Sequence, residues 1–391
     1  MKKDRNFFEK EKIVVPFFRP YINSDDRNYV QKSLRSHILT NGPIIKDFEN
    51  KFARYTNAPY SIAVSSATSA LHLALRAAGI GKGDEVIVPD ITFAATANVV
   101  LMVGATPVLA DVNVNDFNID PESIKQVITN KTKAIIPVHF AGRACNIIQI
   151  MKIAKKSRLI VVEDCAHALG TKIEGIHAGN YGDMGCFSFY PTKNITTLEG
   201  GMLITSSTKF AEKVQIARNH GISKTLKERY SDGFPWEYDI KSLGYNYRLD
   251  EIRSSLGINQ LKRINKINLE RKNAFKYYCE KLKDVDGISL PSLENLENDS
   301  CHLFVIKIDK NKFGKNRNYI FKRLLKFGIS TSLHYKPLHL FTIFKKHAKQ
   351  YSELKNSSYI YEQILSLPLY SGIHKKEQNF VINALKLIRN E

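Results

Sequence analysis

The pattern that most limits what this chain can fold into begins at Tyr60. Short, nearly unbroken apolar runs alternate there with segments of helical period. Strands are expected at Tyr60–Ser65, Glu85–Val88, Thr106–Ala110, Lys133–Val138 and Leu159–Val162. Helices fit between them at Thr68–Ala78, Phe93–Val103, Pro121–Ile128 and Ile147–Lys155. Two further strands, Cys186–Phe189 and Met202–Thr205, follow with little helix between them. A strand that is apolar throughout is covered on both faces, and alternation with helices argues for a parallel sheet. The expected fold class is therefore α/β, a mostly parallel sheet sandwiched by helices. Ligands of such sheets bind beyond the carboxyl ends of the strands.

At 391 residues the chain exceeds one ordinary domain. We expect an N-terminal segment over 1–58, a large α/β domain over 59–248 and a smaller α+β domain over 249–391. The first segment carries helices at Asp25–Leu34 and Ile45–Tyr55 around the turn Leu39–Pro43. The last carries a long basic helix at Leu249–Leu282, strands at His302–Ile308 and Ile329–Tyr335, and helices at Asn318–Phe327 and Asn379–Ile388. Between them Ser223–Tyr238, with the only tryptophan, Trp236, reads as an excursion loop.

Composition narrows the function. No window reaches the roughly 18 uncharged apolar residues of a membrane span, and Met1–Lys12 is too charged for a signal peptide. The five cysteines are scattered, without a CxxC pair, and suit reduced thiols in the cytoplasm. No metal site is expected. The net charge of +20 is spread in modest groups. It fits a solvated surface or an anionic small-molecule partner. A DNA-associated regulator is the remote alternative, but no helix-turn-helix or basic arm supports it; neither nucleic acid nor a membrane is expected as a partner.

Three strand-end segments carry chemistry. The aromatic run Gly185–Tyr190 breaks at Pro191 and is followed by Lys193, which lies among small hydroxyl residues. A desolvated lysine there would release its proton easily, and the free amine is the form that attacks a carbonyl. A solvated lysine in a turn is the plainer reading. After Leu159–Val162 come Glu163 and Asp164, which must face opposite ways on a strand, and then His167. A carboxylate beside an aromatic nitrogen keeps it protonated, as a pyridine ring needs to act as an electron sink; a helix cap with a structural histidine is the alternative. Ser65-Ser66-Ala67-Thr68 runs into a helix whose free N–H groups favour an anion, beyond what an ordinary cap requires. Phe93 follows a strand and could stack on a flat ring or fill the core. Ser188 shares a face with Tyr190 and could add a phosphate donor.

In this order, and continued by Gly244-Tyr245-Asn246-Tyr247-Arg248-Leu249 and His334-Tyr335-Lys336-Pro337-Leu338-His339, the segments resemble the DegT/DnrJ/EryC1/StrS family of sugar aminotransferases. Those enzymes use pyridoxal 5′-phosphate on the fold-type I aspartate-aminotransferase architecture, and the match covers nearly the whole chain. The resemblance implies that Lys193 forms a Schiff base with the cofactor and then shuttles a proton. It gives Asp164 the pyridinium nitrogen, His167 a contact near the phenolic oxygen and Phe93 the ring face. Ala67 (by its backbone), Thr68 and Ser188 would hold the phosphate. Asn246 would reach the cofactor of a second subunit, making the active unit a homodimer. Tyr190, His334 and Tyr335 would lie near the sugar nucleotide. The implied reaction moves an amino group from glutamate to a nucleotide-activated keto sugar in ping-pong order. C4 of a 4-keto-6-deoxyhexose is the first choice, with C3 or a keto-cyclitol as alternatives. The chain departs from the family with Ser66-Ala67 where Asn-Gly is frequent, Tyr190 where His is common and Leu198 where Gly is common. Relatives with His at the position of Lys193 are dehydratases, and Lys193 argues against that.

Overall fold

Apolar runs between Tyr60 and Thr205 pair into one seven-stranded sheet in the computed structural model, which describes residues 14–223, 231 and 234–391. In chain order the strands are β1 (Tyr60–Val64), β2 (Glu85–Pro89), β3 (Thr106–Ala110), β4 (Thr132–Ile135), β5 (Ile160–Asp164), the hairpin β6 (Lys172–Ile173) and β7 (Ile176–His177), β8 (Met184–Ser188) and β9 (Gly201–Thr205). The large sheet runs β1-β9-β8-β5-β4-β2-β3. Its pairs are parallel except those of β9, which is antiparallel to both β1 and β8. That reversal fits the β8–β9 connection, which carries no helix of the kind that usually makes the crossover of a parallel pair. The expected α/β architecture stands.

The sheet is buried on both faces. Val64, Val86, Val88, Val162 and Cys186 face one apolar cluster with the helix Ala67–Ala77. Ile87, Val108, Ile135 and Val161 meet the helix Ile147–Ser157, and Ala63, Phe187 and Met202 meet the helix Pro43–Thr56. Alternate residues of one strand thus enter different cores, as the two-residue period of a strand requires.

The C-terminal part corrects two expectations. Leu249–Leu282 is not one helix but two, Glu251–Lys262 and Ile264–Leu282. They part at Arg263, whose guanidinium lies 2.5 Å from buried Asp26 and over the Tyr21 ring. Ile329–Tyr335 is not a strand and makes only single bridges, Val15 with Ile329 and Ser332 with Ser366. The three-stranded sheet there is β10 (Ile288–Ser289), β11 (Phe304–Ile308) and β12 (Ile364–Leu367), in the order β10-β11-β12. It packs with the helices Ile264–Leu282, Arg317–Lys326 and Lys375–Asn390. Most of the expected excursion loop (224–230, 232 and 233) and the charged N-terminus (1–13) lie outside the described residues. Among the described residues no helix is long and apolar enough to cross a membrane.

Candidate active site

The parallel strands β1, β2, β4, β5 and β8 deliver their following segments to one end of the sheet, and the expected residues collect there. Asp164 closes β5, opposite Cys186 of β8. It is buried and accepts hydrogen bonds from Thr96 Oγ1 at 2.9 Å and Ala166 N at 3.1 Å. Burial raises its pKa, and these donors together with the Lys193 charge only partly oppose that. Glu163 points to the other face, as the strand period demands. Its oxygens accept from His139 Nε2, Gly179 N, Tyr181 N and Gly182 N at 2.6–2.9 Å. His139, Glu163 and Cys165 stand close enough to share an ion, yet those four donors already occupy the carboxylate. The group braces the loop behind the site.

Lys193 follows a turn in which its N–H donates to Tyr190 O at 2.8 Å. It lines a small cavity together with Thr192, His302, His334 and Tyr335. Burial draws its pKa down to about 8; Asp164 holds it up and Arg271 presses it down. About a tenth of the amine is therefore free at pH 7, far more than an ordinary lysine offers, and the free amine is the state a nucleophilic lysine needs.

His167 is buried with both ring nitrogens engaged. Nδ1 accepts from the Ala141 N–H at 3.2 Å, so Nε2 carries the proton and donates to Tyr335 Oη at 3.0 Å. Burial, then the Lys193 charge and His334, keep the ring pKa well below ordinary, so it stays neutral. The Tyr335 hydroxyl retains its own proton to donate. His334 is turned elsewhere: Nδ1 meets Ser366 Oγ at 2.8 Å and the ring stacks on Phe17. Burial lowers its pKa to about 3.

At the end of β1, Ser66 caps the helix Ala67–Ala77 by accepting from Ser69 N at 3.0 Å. The departure Ser66-Ala67 thus supplies a cap while the first N–H groups of the helix are left for an anion. Gly201 makes the room: a Cβ there would lie within 2.6 Å of Ser66 O and Ala67 N. Ser188 Oγ accepts from Tyr190 N at 3.4 Å. Gly201→Ala is expected to force this turn outward and weaken retention of a phosphate-bearing cofactor at least tenfold, a loss of about 1.4 kcal/mol, visible by dialysis and absorbance.

Phe93 is 61% exposed, its ring 6.0 Å from that of Tyr335. Tyr190 and Leu198 flank the lysine at 47% and 55% exposure, and Leu198 holds a left-handed φ of 68°. That conformation is costly for a residue with a Cβ, which explains why glycine suits the position. Asn246 is exposed and bridged to Asn219, and its neighbour Tyr247 accepts from Ser65 N at 2.8 Å. Sequence reasoning missed four participants: Thr96 beside Asp164, His302 and Asn194 beside Lys193, and Arg271, whose Nη1 donates to the carbonyls of Cys301, His302 and Leu369. A histidine just before a strand was the only signal for any of them.

The arrangement fits pyridoxal 5′-phosphate. A buried carboxylate, a lysine with a lowered pKa and a helix N-terminus cleared by glycine are what its ring nitrogen, aldehyde and phosphate need.

Residues 20–386 match the model of the DegT/DnrJ/EryC1/StrS aminotransferase family. The chain is 36% identical to the spore coat polysaccharide biosynthesis protein SpsC of Bacillus subtilis, covering 97% of this chain and 98% of that one. Among solved structures it is similar to the putative sugar aminotransferase Spr1654 of Streptococcus pneumoniae in its PMP form, with a TM-score of 0.90, 32% identity, and 96% and 99% of the two chains covered. That protein is also solved in a PLP form. Helicobacter pylori PseC, an aminotransferase involved in the biosynthesis of pseudoaminic acid, superposes with a TM-score of 0.88 at 30% identity, covering 96% and 99%.

Proposed function

The chain belongs to the DegT/DnrJ/EryC1/StrS aminotransferase family, and on that premise we propose that it moves an amino group from L-glutamate to C4 of a nucleotide-activated 4-keto-6-deoxyhexose. It is a sugar aminotransferase, and pyridoxal 5′-phosphate is its cofactor. When bound, that group supplies an aldehyde that bonds to amines and a pyridine ring that accepts an electron pair. The observation that carries the reading is Asp164 and Lys193, within electrostatic reach of each other at the ends of neighbouring strands.

In this reading Lys193 would hold the cofactor through its amine and would be the group that takes and returns the proton. Asp164 would face the ring nitrogen and favour its protonated form, with Thr96 and Ala166 N keeping the carboxylate in place. Ala67 N–H, Thr68 and Ser188 hold the phosphate. Phe93 would cover the ring of the cofactor, and neutral His167, which donates to Tyr335 Oη, would leave the Tyr335 proton for the cofactor's oxygen. Donor and acceptor use one cavity in turn, a ping-pong order. Tyr190, His334 and Tyr335 border the space for the sugar, and the basic surplus steers its diphosphate.

Asn246 and the exposed side chains Phe234, Trp236, Ile240 and Leu243 favour a homodimer in which Asn246 reaches the partner's phosphate site. The resemblance to SpsC favours polysaccharide or amino-sugar biosynthesis. Five free cysteines favour the cytoplasm.

Incubation with glutamate and a panel of nucleoside-diphosphate keto sugars, with products identified by mass and NMR, tests the reading. The expected product carries its new amine at C4 of the 4-keto-6-deoxy sugar. Selective amination at C3, or of a keto-cyclitol, would replace it.

A further inference from the structure

Residues 332–339 run from the small sheet to the large one, and both ends of this segment are held. At its start Ser332 N donates to Ser366 O at 3.1 Å and Ser366 N to Ser332 O at 2.8 Å, which ties it to β12. His334 Nδ1 adds a contact of 2.8 Å to Ser366 Oγ. At its end the segment meets Asp90, the residue just past β2. Leu338 N donates to the Asp90 carbonyl at 2.8 Å. His339 N donates to Asp90 Oδ1 at 2.9 Å, and His339 Nδ1 lies 2.6 Å from Oδ2. A carboxylate can only accept, so that Nδ1 carries the proton. Asp90 is fully buried, and both of its carboxylate oxygens are committed to His339. Burying a carboxylate is costly unless it is paired and hydrogen-bonded in this way.

The middle of the segment carries Tyr335. Its hydroxyl accepts from His167 Nε2 at 3.0 Å, and its ring lies 6.0 Å from that of Phe93. Little slack separates Tyr335 from the Asp90 anchor. Pro337 is buried with its φ locked, here at −54°, and Lys336, the residue before it, is confined to extended backbone. Leu338 is buried in the apolar cluster that also holds Val88 and Ala97. The anchor itself is fixed in the large sheet, because Asp90 N donates to Ala110 O at 2.9 Å. Asp90 also stands three residues before Phe93. Two exposed or half-buried rings of the site, Phe93 and Tyr335, therefore come from segments that this one carboxylate joins.

We propose that Asp90 is a positioning residue: through His339 and the stiff link back to Tyr335, it sets where the Tyr335 hydroxyl stands against His167. No hydrogen bond joins Asp90 to Tyr335 or His167, so its effect on them passes through the segment. The inference rests on the reading of Tyr335 as a member of the active site.

The test uses the full chain. In cofactor-free protein labelled with ¹⁵N-histidine, the Nε2–H signal of His167, assigned by its loss in His167→Gln, reports the bond to Tyr335. Asp90→Ala should shift this signal and make its proton exchange faster with water. Asp90→Asn should leave both nearly unchanged. Its amide oxygen accepts from His339 N, and its amide N–H donates to Nδ1 once the ring changes tautomer. His339→Ala, at a partly exposed side chain, removes one arm alone and should shift the signal in the same direction, which serves where Asp90→Ala does not fold. An unmoved His167 signal in the alanine variants, or a shift as large in Asp90→Asn as in Asp90→Ala, overturns the proposal. With pyridoxal 5′-phosphate bound, Asp90→Ala should also slow single turnover at saturating glutamate about tenfold, the worth of one hydrogen bond, and Asp90→Asn should recover most of it. An unchanged rate beside a shifted His167 signal counts against the reading of Tyr335 instead. Tyr335→Phe checks that reading by itself, with the same loss expected, so the two failures are distinct.

Discussion

Lys193→Ala is expected to lower multiple-turnover aminotransfer by at least about 10⁴-fold, the upper range for losing a single acid–base group, because here the nucleophile is lost as well. The variant should still fold. Its cofactor-free form exchanges a partly buried, easily deprotonated amine for a methyl group, and the phosphate turn at Ser66–Thr68 is far from the change along the chain. Cofactor should remain bound through that turn, without the absorbance of a lysine adduct. Small primary amines should restore part of the rate. Removing the lysine also removes the cation that holds down the Asp164 pKa, so that carboxyl should titrate at still higher pH in the variant. In the unaltered, cofactor-free enzyme a pKa of about 8 leaves roughly a tenth of the lysine as free amine at pH 7. Bonding to added cofactor should therefore accelerate as pH rises through about 8 and level off above it. Undiminished multiple turnover by Lys193→Ala would end the proposed mechanism.

What the sequence disclosed and what it hid divide along a physical line. Runs such as Val86–Val88 and Leu159–Val162 announce buried strands because burial on two faces dictates composition. The opposite facing of Glu163 and Asp164 follows from the strand period alone. The cap at Ser66 is equally local. Hidden features depend on distant partners. Nothing near Thr96 says that its hydroxyl will meet Asp164, 68 positions away. The hydrogen-bonded amides behind His302 join Asn194, Asn268 and Leu169, distant segments that meet through a residue of the helix Ile264–Leu282. The break at Arg263 likewise needs Asp26, far off in the first helix. Ile329–Tyr335 has strand-like residues but no full-length neighbour, whereas the less conspicuous Ile364–Leu367 pairs with β11. Pairing, not propensity, decides a strand.

Asp164→Asn should move stability and activity in opposite directions. The two side chains have nearly the same shape. The amide oxygen can still accept from Ala166 N, and the Thr96 hydroxyl can turn to accept from the new N–H, since it also contacts Thr92 Oγ1 at 2.8 Å. In the cofactor-free protein the carboxylate is a buried charge whose pKa burial has raised. A carboxyl with a folded pKa above its unfolded one costs stability when ionised. That cost is present above the raised pKa and vanishes below the ordinary carboxyl range, where both states are protonated. At neutral pH the asparagine variant escapes it, so its cofactor-free form should melt higher, and the gain should fade as the pH falls through that window. The Lys193 pKa, which Asp164 holds up, should drop below about 8. Activity should fall. An opposite charge in contact shifts a pKa by about 1–3 units, so removing it takes roughly 10- to 1,000-fold from the charged form of the ring nitrogen and from the rate that depends on it. Melting scans of cofactor-free protein and single-turnover reaction with glutamate measure the two arms. A variant that melted lower yet reacted at the original rate would mean that Asp164 serves the fold rather than the reaction.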